Sequence, residues 1–287
     1  MTCTLGIGQR TAVYSDPQRA YEDGLELFNE KNYESARQRF EEIYKVNRQA
    51  ADNTSQLLMQ NLEFYIAASA AEANDKDAET LLLGYFKKYH ETDKRRQIYF
   101  YLGKYYFQAK KYTDAADWFA KVKTDDLPES QVIEYKFDLA YCYFLKKKFD
   151  LAKPLLREIK DNKEKYFYPS NYYYAFISFY QKNYTEAKKS FKSIEDSKMY
   201  ASVIPYYLSQ IYFLDKQYDT TIAYIRKHIN APDLMYRDDM NHLLGESYFL
   251  KSEYAEALPL ITAFVDKNNK VRKEDVYELG FCQYQKD

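Results

Sequence analysis

Few residues of this chain are of types that could carry chemistry, and these few are far apart. Three histidines and three cysteines occur among the 287 residues: His90, His228, His242, Cys3, Cys142 and Cys282. Metal sites and disulfide frameworks are usually built from closely spaced residues such as a CxxC pair, and no such pair occurs. The HExxH, GxSxG and phosphate-loop motifs are absent as well. The sequence therefore predicts no catalytic residue, no metal site and no cofactor, and we expect a protein that is not an enzyme.

Composition argues against two further classes of function. The 42 basic and 43 acidic residues give a net charge of −1, whereas a nucleic-acid-binding protein usually carries a basic surface. The chain has no run of 18 apolar residues, so we expect no membrane span. Glycine and proline are rare, at seven each, which favours a helical protein.

One segment of 17 residues recurs through the chain without gaps. Its copies cover residues 24–40, 103–119, 140–156, 175–191, 209–225 and 245–261, and a weaker copy covers 64–82. Each full copy begins with a small residue and has an aromatic residue nine places later. A second small residue, or threonine, follows twelve places after the first: Ala36, Ala115, Ala152, Ala187, Thr221 and Ala257. With Ala78 of the weaker copy included, these second sites are 34 to 42 residues apart, a period typical of solenoids.

The pattern within a copy predicts two antiparallel helices. Apolar residues recur at helical spacing on both sides of a short polar segment, which has room only for a tight turn. We expect these turns near residues 30–33, 109–112, 146–149, 181–184, 215–218 and 251–254. The small residues would allow the two helices to approach closely, so Ala115 and Ala152 are expected to be buried. A single pair cannot bury both of its faces, and pairs must therefore stack.

These copies resemble the tetratricopeptide repeat, whose unit of 34 residues carries a Leu–Gly pair, a tyrosine, and then alanine and phenylalanine in its second helix. The Leu–Gly pair occurs here as Leu102–Gly103, Leu244–Gly245 and Leu279–Gly280. The resemblance implies an all-α fold, a right-handed α–α superhelix over residues 17–287. It implies about seven repeats plus the first helix of an eighth, and we expect the array to continue beyond residue 287.

The first 16 residues differ from the repeats and allow two interpretations. Residues 1–16 are either a disordered leader or the remnant of a signal peptide, since residues 1–8 are small and weakly apolar. If residues 1–9 are such a remnant, the resemblance to exported bacterial tetratricopeptide proteins places the chain in the periplasm or cell envelope. Otherwise it is expected in the cytoplasm.

The repeat also indicates roles for the histidines and cysteines. His228 replaces an apolar residue of a second helix, so we expect it to be partly buried by packing. His242 lies on a first helix and is expected to be solvated at the surface. Cys142 and Cys282 occupy the same repeat position, two places after the small residue, which favours packing over reactivity.

In the family, first helices line a concave groove that holds peptides, and residues three before, one after and four after the first small site face it. The resemblance therefore implies a protein-binding groove lined by Phe137, Tyr141, Phe144, Tyr172, Phe176, Phe179, Tyr206 and Gln210. No copy has lysine at the first of these positions or asparagine at the second, which argues against binding of chaperone C-terminal tails. We expect a non-catalytic scaffold or adaptor with a protein or peptide partner. The alternative is the non-catalytic repeat arm of a larger enzyme or of a secretion or assembly machine.

Overall fold

The computed structural model describes residues 17–48, 53–90, 92–268 and 270–286, so the predicted leader lies outside the described residues. Within these ranges the chain forms fifteen α-helices, one 3-10 turn at Thr124–Asp126 and no strand. The predicted all-α class is confirmed. The helices are α1 (Pro17–Asn29), α2 (Tyr33–Asn47), α3 (Asn53–Glu72), α4 (Ala78–Lys88), α5 (Asp93–Gln108), α6 (Tyr112–Phe119), α7 (Glu129–Leu145), α8 (Phe149–Ile159), α9 (Phe167–Tyr180), α10 (Tyr184–Ser193), α11 (Ile204–Leu214), α12 (Tyr218–His228), α13 (Arg237–Leu250), α14 (Tyr254–Lys267) and α15 (Lys273–Lys286).

The helices belong to two compact units, and the boundary lies between Ala152 and Lys153, inside α8. Unit 1 contains α1 to α7, and unit 2 contains α9 to α15. None of the helices in the described ranges is both long enough and apolar enough to cross a bilayer.

The six predicted turns are confirmed. Three residues separate the end of each first helix from the start of the second, and the aromatic residue of the repeat is the first residue of the second helix. These residues are Tyr33, Tyr112, Phe149, Tyr184, Tyr218 and Tyr254. The aromatic position therefore marks the start of each second helix.

Each of these turns is closed by a residue in the left-handed backbone region. Between α5 and α6 this residue is Lys110, with φ 59°. Its N–H donates to the carbonyl of Phe107 at 2.9 Å, and the N–H of Lys111 donates to the carbonyl of Tyr106 at 2.9 Å. These two bonds form a Schellman motif, which satisfies carbonyls that the helix end would leave unpaired. Five further turns repeat the positive φ and both bonds, at Lys31, Lys147, Lys182, Lys216 and Ser252.

Within a pair, the helices approach most closely at the first small residue. A Cβ added to Gly103 on α5 would lie 2.4 Å from the ring of Phe119 on α6, and one added to Gly24 would lie 2.5 Å from the ring of Phe40. At Gly24 and Gly103 only glycine leaves room for this approach, whereas the copies that begin at residues 140, 175 and 209 have alanine or serine there. The residue sixteen places after the first small site is fully buried in all six copies: Phe40, Phe119, Leu156, Phe191, Ile225 and Ile261. Ala115 and Ala152 are also fully buried, as predicted.

Replacing Gly103 by alanine is expected to lower the free energy of unfolding by about 1–3 kcal/mol, because the new methyl group overpacks against Phe119. Gly84 on α4 is a matched control, since an added Cβ there meets nothing within 4 Å. Gly84→Ala is expected to raise the free energy of unfolding by about 0.5–1 kcal/mol, because alanine favours the helix. Denaturant unfolding followed by circular dichroism measures both. Equal effects of the two substitutions would contradict the close approach.

Replacing Lys110 by glycine is expected to raise the free energy of unfolding by about 1 kcal/mol, because glycine adopts positive φ without steric cost. Its neighbour Ala109 ends α5 with φ −73°, so Ala109→Gly is expected to lower stability by about 0.5–1 kcal/mol. Thermal and urea unfolding of both variants provide the comparison. Destabilisation by Lys110→Gly would show that the turn has another conformation.

Candidate functional site

In unit 1 the predicted groove residues lie on α7, and all three are half-buried: Phe137, Tyr141 and Phe144. The ring of Tyr141 lies 5.8 Å from that of Phe107 and 5.5 Å from that of Tyr112, both edge to face. It also stacks on Phe137 at 6.3 Å. Tyr141 therefore joins α7 to the preceding helix pair and leaves part of its ring at the surface.

Phe144 and Phe179 contact the aromatic residue that begins the second helix of their own pair. The ring distances are 5.7 Å for Phe144 to Phe149 and 5.6 Å for Phe179 to Tyr184. The same contact occurs in four other pairs, namely Phe28–Tyr33, Phe107–Tyr112, Phe213–Tyr218 and Phe249–Tyr254. These phenylalanines pack against the turn, so they have a structural role in every copy.

In unit 2 the predicted residues Tyr172, Phe176 and Tyr206 form a surface with two tyrosines that the sequence did not single out. Tyr172 stacks on Tyr200 at 4.3 Å with the rings nearly parallel, and Tyr206 packs on Tyr236 at 4.5 Å. The two stacks are connected through buried rings, because Tyr172 contacts Phe191 at 6.3 Å and Tyr206 contacts Tyr207, which stacks on Phe191. Burial raises the pKa of Tyr172, and Tyr236 adds to this effect. We call Tyr172, Phe176, Tyr200, Tyr206 and Tyr236 the unit 2 aromatic surface.

The remaining aromatic contacts connect this surface to buried rings of unit 2. Phe176 meets the buried ring of Tyr207 edge to face at 5.8 Å, and Tyr206 meets the same ring at 5.3 Å. Tyr207 in turn stacks on Phe191 at 5.1 Å. Gln210, also predicted as a groove residue, is half-buried one turn after Tyr206 on α11. The unit 2 aromatic surface is therefore packed directly against the core of unit 2.

Sequence reasoning missed Tyr200 and Tyr236 because both lie between helices, outside the aligned segments. Tyr236 precedes α13 with φ 58° and ψ 30°, a left-handed conformation that is rare for a bulky residue. Its side chain remains 43% exposed. The only sequence signal is the unusual number of tyrosines, which does not distinguish these two.

Lys104 follows Gly103 and occupies the same groove position as Tyr141 on α7. At Lys104 an internal ion pair fills this position. The side chain of Lys104 is 10% exposed, and its Nζ lies 2.5 Å from Glu72 Oε2 and 3.0 Å from Glu134 Oε1. Burial works against the ammonium, but the two carboxylates outweigh it and raise the pKa of Lys104. This position therefore serves packing between repeats.

The prediction that His242 is solvated is wrong. The residue is only 9% exposed, its Nε2 lies 2.9 Å from Asp275 Oδ1, and its ring stacks on Phe264 at 3.6 Å. Asp275 lies 33 residues further along the chain, in the first turn of α15, two helices after α13. The repeat pattern could not predict this contact because neither residue belongs to the repeat consensus.

The packing roles predicted for His228, Cys142 and Cys282 are confirmed. His228 is half-buried against the ring of Tyr224, with ring centres 4.5 Å apart. Both cysteines are buried free thiols, and burial raises the pKa of Cys142 to about 12 and also raises that of Cys282. At neutral pH the thiols therefore stay protonated and unreactive.

Comparison with known proteins agrees with this architecture. The family model described as tetratricopeptide repeat matches residues 74–128. The chain folds as a tetratricopeptide-repeat array. No match was found among curated proteins.

Solved structures are similar to this chain in fold at low sequence identity. MamA of AMB-1 is 15% identical with a TM-score of 0.52, over 65% of this chain and 98% of that chain. The C-terminal part of a TPR repeat-containing protein from Cytophaga hutchinsonii is 17% identical with a TM-score of 0.51, over 90% of this chain and 99% of that one. A structure of Naa15/Naa10 bound to HypK-THB is 13% identical with a TM-score of 0.53, over 93% of this chain but only 39% of that chain.

Replacing Lys104 by methionine is expected to lower the free energy of unfolding by about 3–5 kcal/mol, because the buried carboxylate of Glu72 loses its counter-charge. Adding Glu72→Gln should recover most of this loss. Lys88 pairs with Glu63 at 2.6 Å but is 56% exposed, so Lys88→Met is a matched control with an expected effect below about 1 kcal/mol. Similar losses in the two single variants would contradict a buried pair.

The stability of the array is expected to fall at acid pH partly through His228. Burial lowers the pKa of His228, as do Lys227 and Lys192, while Glu195 raises it. The folded state therefore favours the neutral ring, and its contribution is complete above about pH 6.5 and is lost as pH falls. We expect His228→Phe to reduce the drop in Tm between pH 7.5 and pH 5. An unchanged drop would show that His228 is not responsible.

Proposed function

We propose that this tetratricopeptide array is a non-catalytic interaction scaffold that binds a peptide or protein segment on its first helices. The fold supports this because stacked repeats present many side chains along one face without needing a catalytic centre. A solved structure of the same fold, Naa15/Naa10, is bound to HypK-THB, so the architecture is compatible with a bound partner. The specific binding surface that we propose is the unit 2 aromatic surface.

The observation that carries this proposal is the pair of tyrosine stacks. Tyr172 with Tyr200 and Tyr206 with Tyr236 place four half-buried or exposed rings on one part of unit 2. Contiguous aromatic surface is typical of binding sites, and tyrosine is enriched among the residues that dominate binding energy. Tyrosine offers a rigid apolar ring and a hydroxyl that can bond to a peptide backbone.

The backbone of Tyr236 supports the same interpretation. A non-glycine residue in a sparsely populated backbone region costs about 1–3 kcal/mol, and Tyr236 precedes a helix, so it does not close a helix end as the six turn residues do. Here the unusual conformation places the Tyr236 ring against Tyr206. A glycine or asparagine would adopt this conformation at lower cost, but neither would supply the ring.

In unit 1, Phe137 and Tyr141 supply a second, smaller aromatic patch on α7. We propose that it contributes contacts of the same kind. A segment that suits either patch carries apolar or proline side chains and little net charge. The residues that define the patches are aromatic and uncharged, and burial together with the carboxylate of Asp239 raises the pKa of Tyr206.

A peptide library displayed on phage and selected on the wild-type protein tests the proposal. The selected peptide is then titrated by calorimetry into the wild type, Tyr172→Ala and Tyr236→Gly. We expect each substitution to weaken binding at least tenfold, since each removes a ring of a stack. Tyr236→Gly is especially informative because it removes the ring while it relieves the backbone conformation, so the helical signal should stay intact.

Tyr180→Ala is the matched control for this experiment. Tyr180 also lies on α9 and is 67% exposed, but it is not part of the aromatic surface, so its substitution should leave the affinity unchanged. If the selected peptides bind all three variants as tightly as the wild type, the unit 2 aromatic surface is not the binding site.

A further inference from the structure

A cluster of charged side chains in unit 2 joins α13 to the start of α15. Asp275 Oδ1 lies 2.9 Å from His242 Nε2 and 2.6 Å from Nη2 of Arg272. The same Arg272 nitrogen lies 2.5 Å from Glu246 Oε1, and His242 Nδ1 lies 3.8 Å from Glu246 Oε2. Glu278 is one helical turn beyond Asp275 and interacts electrostatically with Glu246, Asp275 and Arg272.

The positive charge in this cluster does not balance the negative charge. Three carboxyl groups, those of Glu246, Asp275 and Glu278, lie near a single guanidinium and a histidine, and burial together with the neighbouring acids raises the pKa of Glu278 to about 7. Asp275 is fully buried, and Glu246 and Glu278 are each 9% exposed. Oε2 of Glu278 is buried and has no hydrogen-bond partner. A buried polar atom without a partner is costly, so Glu278 adds an uncompensated acidic group beside Glu246 and Asp275.

The spacing and types of the side chains fit a metal ion. One ligand atom each from His242, Glu246 and Asp275 can be chosen so that all three lie within 4.8 Å of one another. Ligands at about 2.0–2.2 Å from an ion are separated by roughly 4 Å or less, so movements below about 1 Å would close the shell. Imidazole together with carboxylates suits Zn²⁺ and similar first-row ions, whereas Mg²⁺ and Ca²⁺ favour oxygen ligands alone.

Neighbouring groups already orient two of these ligands. The ring of His242 is held by its stacking on Phe264 at 3.6 Å. Oδ2 of Asp275 accepts the backbone N–H of Arg272 at 2.9 Å, which caps the first turn of α15 and leaves Oδ1 directed at His242. Support of this kind raises the affinity of metal sites.

The guanidinium of Arg272 occupies the place that a metal ion would take and would compete with the ion. Its guanidinium lies on Glu246 and Asp275, but its side chain is 54% exposed and can turn into solvent. A divalent ion would neutralise more of the negative charge than one guanidinium does. The side chains of His242 and Glu246 are only 11% exposed, so a bare ion fits better than the lysine or arginine of a partner.

We propose that His242, Glu246 and Asp275 bind a divalent first-row transition-metal ion, that the nearby carboxyl group of Glu278 strengthens this binding by its negative charge, and that the ion displaces the side chain of Arg272. The bound ion connects the first turn of α15 to α13. Binding therefore stabilises the packing of these two helices in unit 2.

Titration of the full chain with Co²⁺, followed by visible absorption and calorimetry, tests this proposal, with Zn²⁺ as competitor and Mg²⁺ as a control ion. We expect one saturable Co²⁺ site that Zn²⁺ displaces and Mg²⁺ does not. His242→Gln and Glu278→Gln should each weaken Co²⁺ binding at least tenfold. Arg272→Gln should tighten it at least tenfold, because the competitor is gone.

His90→Gln is the matched control, because His90 is an exposed histidine outside unit 2, and its substitution should not change the Co²⁺ affinity. Far-UV circular dichroism establishes that each variant is folded. The proposal is overturned if the wild type has no saturable Co²⁺ site, or if Glu278→Gln and Arg272→Gln both leave its affinity unchanged. It is likewise overturned if a trilysine peptide, used as a probe for a cationic partner, binds only when Glu278 is present and Co²⁺ does not bind.

Discussion

The contact on which the helix pairs depend is that between a small residue of the first helix and a large apolar residue sixteen places later. At Gly103 and Phe119 the backbone and the ring are so close that no Cβ fits between them. Such an approach determines how far apart the two helices lie, and a turn of three residues then suffices to join them. The left-handed residue and its two hydrogen bonds close the turn, and the Phe–Tyr contact packs against it.

Because this contact occupies one face of each first helix, the remaining positions are free to vary between copies. The position immediately after the small residue illustrates this variation. It holds a buried ion pair at Lys104, an aromatic joint at Tyr141, a half-buried ring at Phe176 and a member of a charged cluster at Glu246. One backbone arrangement thus carries packing, aromatic and charged side chains at the same position of different repeats.

The fold could be predicted largely from the sequence because its signals recur. Six copies agree on the small residues and on the aromatic position, so the turns and the burial of Ala115 followed directly. Details that occur once could not be predicted. The rings of Tyr200 and Tyr236 lie between repeats, and the contact of His242 with Asp275 joins residues 33 positions apart. The left-handed turn residues could not be predicted either, because most of them are lysines, and lysine gives no sequence signal for positive φ.

The close approach of Gly103 to Phe119 can be measured directly by nuclear Overhauser spectroscopy on a sample with labelled glycine and phenylalanine. The structure predicts strong cross-peaks between the Hα protons of Gly103 and the ring protons of Phe119. It predicts no such cross-peak from a phenylalanine on a neighbouring helix to the outward Hα of Gly84, where nothing lies within 4 Å of an added Cβ. Absence of the Gly103–Phe119 cross-peaks in the folded protein would contradict the account of how the helices pair.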